Sequence, residues 1–510
     1  MVLCGAVLAL AMPPLCLWPV AFLMLPLLWR AACQAPSWRQ AGWFGFCFGM
    51  GFYTTSLYWL TNAIMTRLHD FWWVLPFASP GVAVLIAPLV AVPAIMARWP
   101  AWESQQRGDA PCPPWRSALL FAAGWTLQDM ARTFIFSGFP WNPLGSAFEV
   151  PGRVGTILIQ PASLVGVDGL TFMLVAFALL FWCGWRWRLA LLALALLWVG
   201  WGWWRCSHTV SLAVVQPHLV LVQGDVPEEE VLNRSARQLE RARQFERYLD
   251  LTRQGVQQGV AVPGPHQGGR GGNLVVVWPE SAFPGLLDEE PEARSLMSQA
   301  AMGHPVLAGS LRRDDKGHWF NSLEAVGQGG TLEALYDKSR LVPFGEYQPW
   351  IIPFNLTPAV LTPGPGLQTW NLPEAGKLGP MVCYEVIFSG SVTEPGHRPD
   401  WLLTISNDAW YGNSAGPRQH LATGRMRAVE EGLAVAFANN RGPSALYSAT
   451  GALVGWLPWG HDGVMVKAIP QPLSPTLFSW GGRLLPLALA LLACLVALWP
   501  WPRLQHGGHT

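Results

Sequence analysis

Long apolar runs open the chain, a polar stretch follows, and one further apolar run comes near the end. Apolar residues dominate 2–12 and 15–30 on either side of Pro13-Pro14, and again about 41–63, 71–97, 117–136, 169–185, 189–204 and 484–499. A membrane span takes about 20 such residues, so the pattern predicts eight membrane segments. The start of the chain lacks both a charged leader and a small-residue cleavage site, which argues against a signal peptide. Since 2–12 is short for a span, either Pro13-Pro14 lies within the membrane or the start of the chain is trimmed.

Between about 207 and 479 the pattern changes to short β-rich runs, turns and amphipathic stretches. Strands are predicted at 219–223, 274–278, 306–309, 378–382 and 402–406, and around 435–438, 445–448 and 452–456. A hairpin is predicted from 320–326 and 332–336 about Gly327-Gln328-Gly329-Gly330. Helices are expected over 233–258, with Leu239, Ala242, Phe245 and Leu249 on one face, and over 417–431. This alternation argues for one α/β domain on a large sheet system, without internal repeats.

Composition supports a membrane protein: 51% of residues are hydrophobic and 13% charged, about half the charge of a soluble domain. Lys plus Arg (33) balance Asp plus Glu (32), and the Arg are scattered, so a nucleic-acid partner is set aside. Many of the 30 Trp bunch at the ends of apolar runs, among them Trp185, Trp187, Trp203, Trp204 and Trp499, like an interfacial belt. If the segments alternate, Arg30, Arg39, Arg98, Arg107, Arg116, Arg186, Arg188 and Arg503 fall on one side and only Arg67, Arg153 and Arg205 on the other. The positive-inside rule then puts the termini in the cytoplasm and the polar domain outside. Of nine cysteines, only Cys383 lies well inside the polar domain, and an unpaired thiol in an oxidising compartment points to reactivity. No CxxC pair suggests a metal. Asp129 and Arg132, three apart in the fifth segment, are read as a structural ion pair facing the bundle.

Three polar residues follow strand-like runs: Glu280 in Trp278-Pro279-Glu280-Ser281, Lys338 in Tyr336-Asp337-Lys338-Ser339, and Cys383 in Met381-Val382-Cys383-Tyr384-Glu385. Taken singly they read as a cap, a solvated edge and a core thiol. Brought together they would suffice for acyl transfer without a cofactor. Glu280 would act as base and then acid, Lys338 as fixed charge at an oxyanion, and Cys383 as nucleophile next to the N–H of Tyr384.

With Lys338-Ser-Arg-Leu-Val-Pro-Phe-Gly-Glu346 and Ser406-Asn-Asp-Ala-Trp-Tyr-Gly412, these stretches resemble the nitrilase superfamily, and within it the membrane-embedded apolipoprotein N-acyltransferase family. The resemblance covers almost the whole chain. It implies an α-helical membrane bundle of eight segments plus an α/β nitrilase-like extracytoplasmic domain, an α-β-β-α sandwich. The bundle takes 1–206, the catalytic domain 207–479, and the last span with a short tail 480–510. It also implies Glu280, Lys338 and Cys383 as catalytic residues, Glu346 as a second carboxylate orienting Lys338, and Tyr384 and Glu385 as near-site support. The implied partners are a phospholipid acyl donor and a diacylglyceryl lipoprotein acceptor at the bacterial inner membrane, with the domain on the periplasmic face. One departure concerns Glu228-Glu229-Glu230-Val231-Leu232, where the family often has a Lys-Trp pair, so an aromatic contact is missing or supplied elsewhere.

The apolar stretch Trp350-Ile351-Ile352-Pro353-Phe354-Asn355-Leu356, between Glu346 and Cys383, is read either as a buried loop or as an arm that dips into the interface and admits acyl chains. Residues 281–287 are placed at the same entrance. Two rival functions are a membrane-tethered amidase, which needs only one anchor, and a transporter with an inactive outer domain. The transporter would call for several intramembrane charges.

Overall fold

The structure, a computed structural model, describes residues 1–65, 72–107, 112–135, 138–209, 211, 212, 214, 217–227, 234–261, 273–348 and 360–500. The predicted arm at Trp350, Ile351, Ile352, Phe354 and Leu356, and the departure at 228–232, lie outside them.

The N-terminal part is helical. By length and composition, 72–100, 162–183 and 185–207 suffice to cross a membrane, and Val2–Ala11 and Leu484–Leu498 are shorter apolar helices. The predicted run 71–97 is not one smooth helix. 3-10 pieces at Trp72–Phe77 and Ala87–Val90 flank Ala78–Ile86, with Pro76 and Pro88 inside them, because proline cannot supply the N–H of an α-helical turn. Helix Ala162–Leu180 starts before the apolar run at 169 and bends at Gly166, whose φ of 68° a side chain would resist. Asp129 and Arg132 pair at 2.6 Å inside the bundle, as the sequence predicted.

The polar part contains twelve described strands: β1 (His218–Gln223), β2 (Leu274–Val277), β3 (Val306–Arg313), β4 (Trp319–Val326), β5 (Leu332–Asp337), β6 (Trp370–Leu372), β7 (Gly376–Val382), β8 (Trp401–Ser406), β9 (Ala434–Asn439), β10 (Ser444–Tyr447), β11 (Leu453–Leu457) and β12 (Gly463–Ala468). They form two six-stranded sheets, ordered β12-β1-β2-β3-β4-β5 and β11-β10-β9-β8-β7-β6. Each sheet has three parallel central strands, two antiparallel strands on one side and one on the other. Central strands such as 274–277 and 401–406 are buried at every position, which is why they read as unbroken apolar runs. β6, β12 and the helix Pro291–Ala300 are additions to the predicted elements.

The sheets pack face to face. Leu219, Leu221, Val275, Val277 and Leu307 of the first meet Leu378, Val382, Leu403, Ile405 and Ala436 of the second in one core. Helices Arg234–Val260 and Pro291–Ala300 cover the outer face of the first sheet, where Tyr248, Leu249 and Met297 join Val220, Val276 and Ala308. Helix Ala415–Glu431 covers the second, giving the expected α-β-β-α order. Its Met426, Ala428 and Val429 belong to the same core as Phe52, Trp141 and Leu170 of the N-terminal part, so the fourth layer lies directly against the N-terminal helices.

Candidate active site

Glu280, Lys338 and Cys383 each sit just past the C-terminal end of a strand, β2, β5 and β7 respectively. After β2 the chain is fixed by Trp278, fully buried, whose Nε1 donates to Thr252 Oγ1 at 2.8 Å. A Cβ on Gly309 would come within 2.6 Å of the Glu280 Cα, so that strand must carry glycine for the carboxylate to be where it is. Both carboxylate oxygens of Glu280 are held, Oε1 by Asn321 Nδ2 at 2.6 Å and Oε2 by the N–H of Asn407 at 2.8 Å.

Lys338 is pinned through its backbone. Its N–H donates to the Asn321 carbonyl at 2.8 Å and its own carbonyl accepts from Gly364 N–H at 2.8 Å. Beside it, Asp337 takes a two-pronged bond from Arg312, at 3.0 and 2.7 Å, and a third from Ser322. The ammonium is 1% exposed; it donates to Glu346 Oε1 at 2.8 Å and lies 3.6 Å from Glu280 Oε1. An unpaired ammonium so deep would cost several kcal/mol, and the two carboxylates offset that. Glu346 is itself held by the Val342 N–H at 2.8 Å and by Asn321 at 3.2 Å.

Cys383 opens the 3-10 turn Cys383–Ile387 with φ of 51°, a region L side chains rarely adopt. Glu385 closes this turn onto the preceding strand and onto the loop after Lys338. It accepts from Val382 N–H at 2.8 Å, Ser339 N–H at 2.7 Å, Ser339 Oγ at 2.6 Å and Tyr336 Oη at 2.8 Å. Glu385 thereby ties the lysine loop to the cysteine turn. Tyr384 points to the bundle: its hydroxyl donates to the Gly138 carbonyl at 2.5 Å and its ring stacks on Phe139.

Charge links the three residues. Burial pushes the Glu280 carboxyl above its ordinary 4.5, and the Lys338 charge pulls it back. Burial also holds the Cys383 thiol well above 9.0; the Glu280 charge adds to that effect and Lys338 opposes it. For Lys338, burial opposes the charge, but Glu346, Cys383 and Glu280 outweigh it and hold the group above 10.5. Burial thus favours the thiol form of Cys383, and the carboxyl group whose charge acts on it most is that of Glu280.

Among the predicted site residues, Glu280, Lys338, Cys383, Glu346 and Glu385 come together. In the 281–287 stretch, Ala282, Phe283 and Leu287 turn inward onto the first sheet's core. Asn321 was not predicted, though it bridges Glu280 and Glu346; its signal was a polar pair, Asn321-Ser322, inside an apolar strand. Asn407 acts through its backbone N–H, which no side-chain pattern reveals.

Comparison with known proteins gives two family matches: "Apolipoprotein N-acyltransferase N-terminal domain" over residues 4–180 and "Carbon-nitrogen hydrolase" over 231–474. The chain is 31% identical to apolipoprotein N-acyltransferase of Rhodopseudomonas palustris, covering 97% of this chain and 94% of that one. It is 33% identical to the protein of the same name from Allorhizobium ampelinum, over 90% and 87% of the two chains. An amidase of the nitrilase superfamily from Nesterenkonia AN1 is 17% identical, covering 51% of this chain and 93% of that one, with a TM-score of 0.36.

Proposed function

Because this chain belongs to the apolipoprotein N-acyltransferase family, we propose that it moves an acyl chain from a membrane phospholipid, through a thioester on Cys383, to the N-terminal amine of diacylglyceryl-cysteine lipoproteins. The observation that carries the chemistry is the convergence of Glu280 and Lys338 from one sheet on Cys383 from the other.

Glu280 takes the thiol proton as sulfur attacks the ester carbonyl of the donor. Lys338 and the Tyr384 N–H stabilise the oxyanion. As the C–O bond breaks, Glu280 returns the proton to the departing lysophospholipid oxygen, which leaves the acyl group on sulfur. In the second half, the lipoprotein amine attacks the thioester and Glu280 accepts its proton. The C–S bond breaks, and the thiolate regains that proton as the amide leaves. Glu346 keeps the Lys338 ammonium in place, and Glu385 fixes the turn that carries the nucleophile.

On this reading 1–206 forms the membrane bundle, 207–479 the catalytic domain, and 480–510 the last span and tail. The Arg distribution supports a multi-pass protein of the bacterial inner membrane with its site on the periplasmic face. A deeply buried thiol suits a thioester kept from water, which favours transfer over hydrolysis by an amidase.

The test supplies a phospholipid with an alkyne-tagged acyl chain and a synthetic diacylglyceryl-cysteine peptide. Tagged amide on the peptide's amine is the expected product. Release of free tagged fatty acid in its place would mean a hydrolase.

A further inference from the structure

One buried pair beside the nucleophile has no role in the steps above. His420, on helix Ala415–Glu431, has Nδ1 2.9 Å from Asp408 Oδ1 and Nε2 3.1 Å from the carbonyl oxygen of Cys383. Both residues are fully buried. Asp408 also accepts from Ser406 Oγ at 2.8 Å and Asn439 Nδ2 at 2.6 Å, while its own N–H donates to Asn439 Oδ1 at 3.0 Å. A peptide carbonyl can only accept, so Nε2 of His420 carries the hydrogen of that bond, while Nδ1 is engaged by the Asp408 carboxyl.

The imidazole is also boxed in by rings. Trp141 lies tilted at 5.3 Å and Phe437 edge-on at 5.0 Å. Trp141 Nε1 donates at 2.9 Å to Gln419, the neighbour of His420, and Arg132 of the intramembrane pair holds the Trp141 carbonyl. Cys383, whose carbonyl this assembly grips, has φ of 51°, a conformation that persists only where the surroundings impose it.

We propose that His420 is a positioning residue for the reaction: its ring, locked by Asp408 at Nδ1, clamps the Cys383 carbonyl through Nε2–H and keeps the turn that presents the thiol to Glu280 and Lys338. The competing reading is a metal site, because Cys383, Asp408 and His420 offer ligand atoms within 4.8 Å of one another. Coordination needs a free ring lone pair, however, and both nitrogens here are committed to hydrogen bonds.

The inference rests on Cys383 being the nucleophile, so the test includes the unaltered enzyme. The full chain is incubated with alkyne-tagged phosphatidylethanolamine and phosphatidylglycerol vesicles, and the single-turnover rate of Cys383 acylation is followed. His420→Asn places an amide N–H where Nδ1 was, keeping Asp408 but releasing the carbonyl; His420→Gln places it where Nε2 was, keeping the carbonyl. Asn is expected to lose about 100-fold in rate, with the donor concentration at half-saturation within about threefold, while Gln loses less than about tenfold. Asp408→Asn, which keeps the shape, is expected to lose less than about tenfold, because Asn439 Nδ2 holds the amide oxygen at the Oδ2 position, so the amide nitrogen faces Nδ1 and Nε2–H stays on the carbonyl. Equal rates for His420→Asn and the unaltered enzyme, or equal losses for Asn and Gln, overturn the clamp. Loss of acylation on chelation, restored by zinc, overturns it in favour of the metal site. No acylation of Cys383 in the unaltered enzyme overturns the nucleophile assignment itself.

Discussion

The two sheets share one plan, and the same relative positions carry different chemistry in each. The middle strand of the first sheet, β2, leads into Glu280, and the middle strand of the second, β8, leads into Asn407 and Asp408. The first sheet supplies the Glu280 carboxyl and the Lys338 ammonium. Asn321, Glu346 and the Arg312–Asp337 fork hold these from neighbouring strands and loops of the same domain. The second sheet supplies the thiol, and its supports reach into the bundle. Tyr384 bonds Gly138, Gln419 accepts from Trp59 and Trp141, Arg425 donates to Thr156, and Glu430 accepts from Val167. Glu280 and Lys338 are thus held within the polar domain, by the first sheet together with the Asn407 N–H that follows β8, whereas the turn that carries Cys383 is also tied to the N-terminal helices.

The largest expected effect comes from the first sheet. Lys338→Arg keeps the charge, but a planar fork cannot occupy the place of an ammonium wedged between two carboxylates, and acylation should fall about 1,000-fold. Near-normal turnover would remove Lys338 from the site. Gly309→Ala comes next: the new methyl meets the Glu280 backbone at 2.6 Å. Moving that carboxylate should slow acylation about 100-fold with donor half-saturation little changed, measured by single turnover.

Cutting one anchor of the other half tests the comparison itself. Tyr384→Phe leaves the buried Gly138 carbonyl without its donor, a loss of about 1–3 kcal/mol. It should lower the thermal midpoint and slow acylation about tenfold; an unchanged rate would mean that the membrane contact does not reach the nucleophile. The smallest effect is on pH and stability. Burial lifts the Glu324 carboxyl from 4.5 to about 7. Between these values the unfolded chain has lost a proton that the folded one keeps, so stability falls as pH rises through about 7. Glu324→Gln should therefore raise the thermal midpoint at pH 8 more than at pH 5.

Much of this was readable in the sequence because it rests on strand ends. Strand-like runs mark β2, β5 and β7 and the side chains after them, and three apolar helices announce themselves by length among the described residues. The pairing of the sheets could not be read, since their shared plan leaves no repeated sequence. His420 sits within a helix whose polar and apolar residues are buried alike, so amphipathic spacing gives it no distinction. Its importance comes from a carbonyl that folding brings from 37 positions away. Gly309 reads as the end of a strand, and only the approach of Glu280 explains it.

The most direct test is the intact mass of the enzyme after incubation with phospholipid alone, followed by mapping of the modified peptide. The predicted result is one added acyl chain on Cys383, released by neutral hydroxylamine and absent from Cys383→Ala. An unmodified protein under conditions that support turnover, or an adduct on another residue, would contradict it.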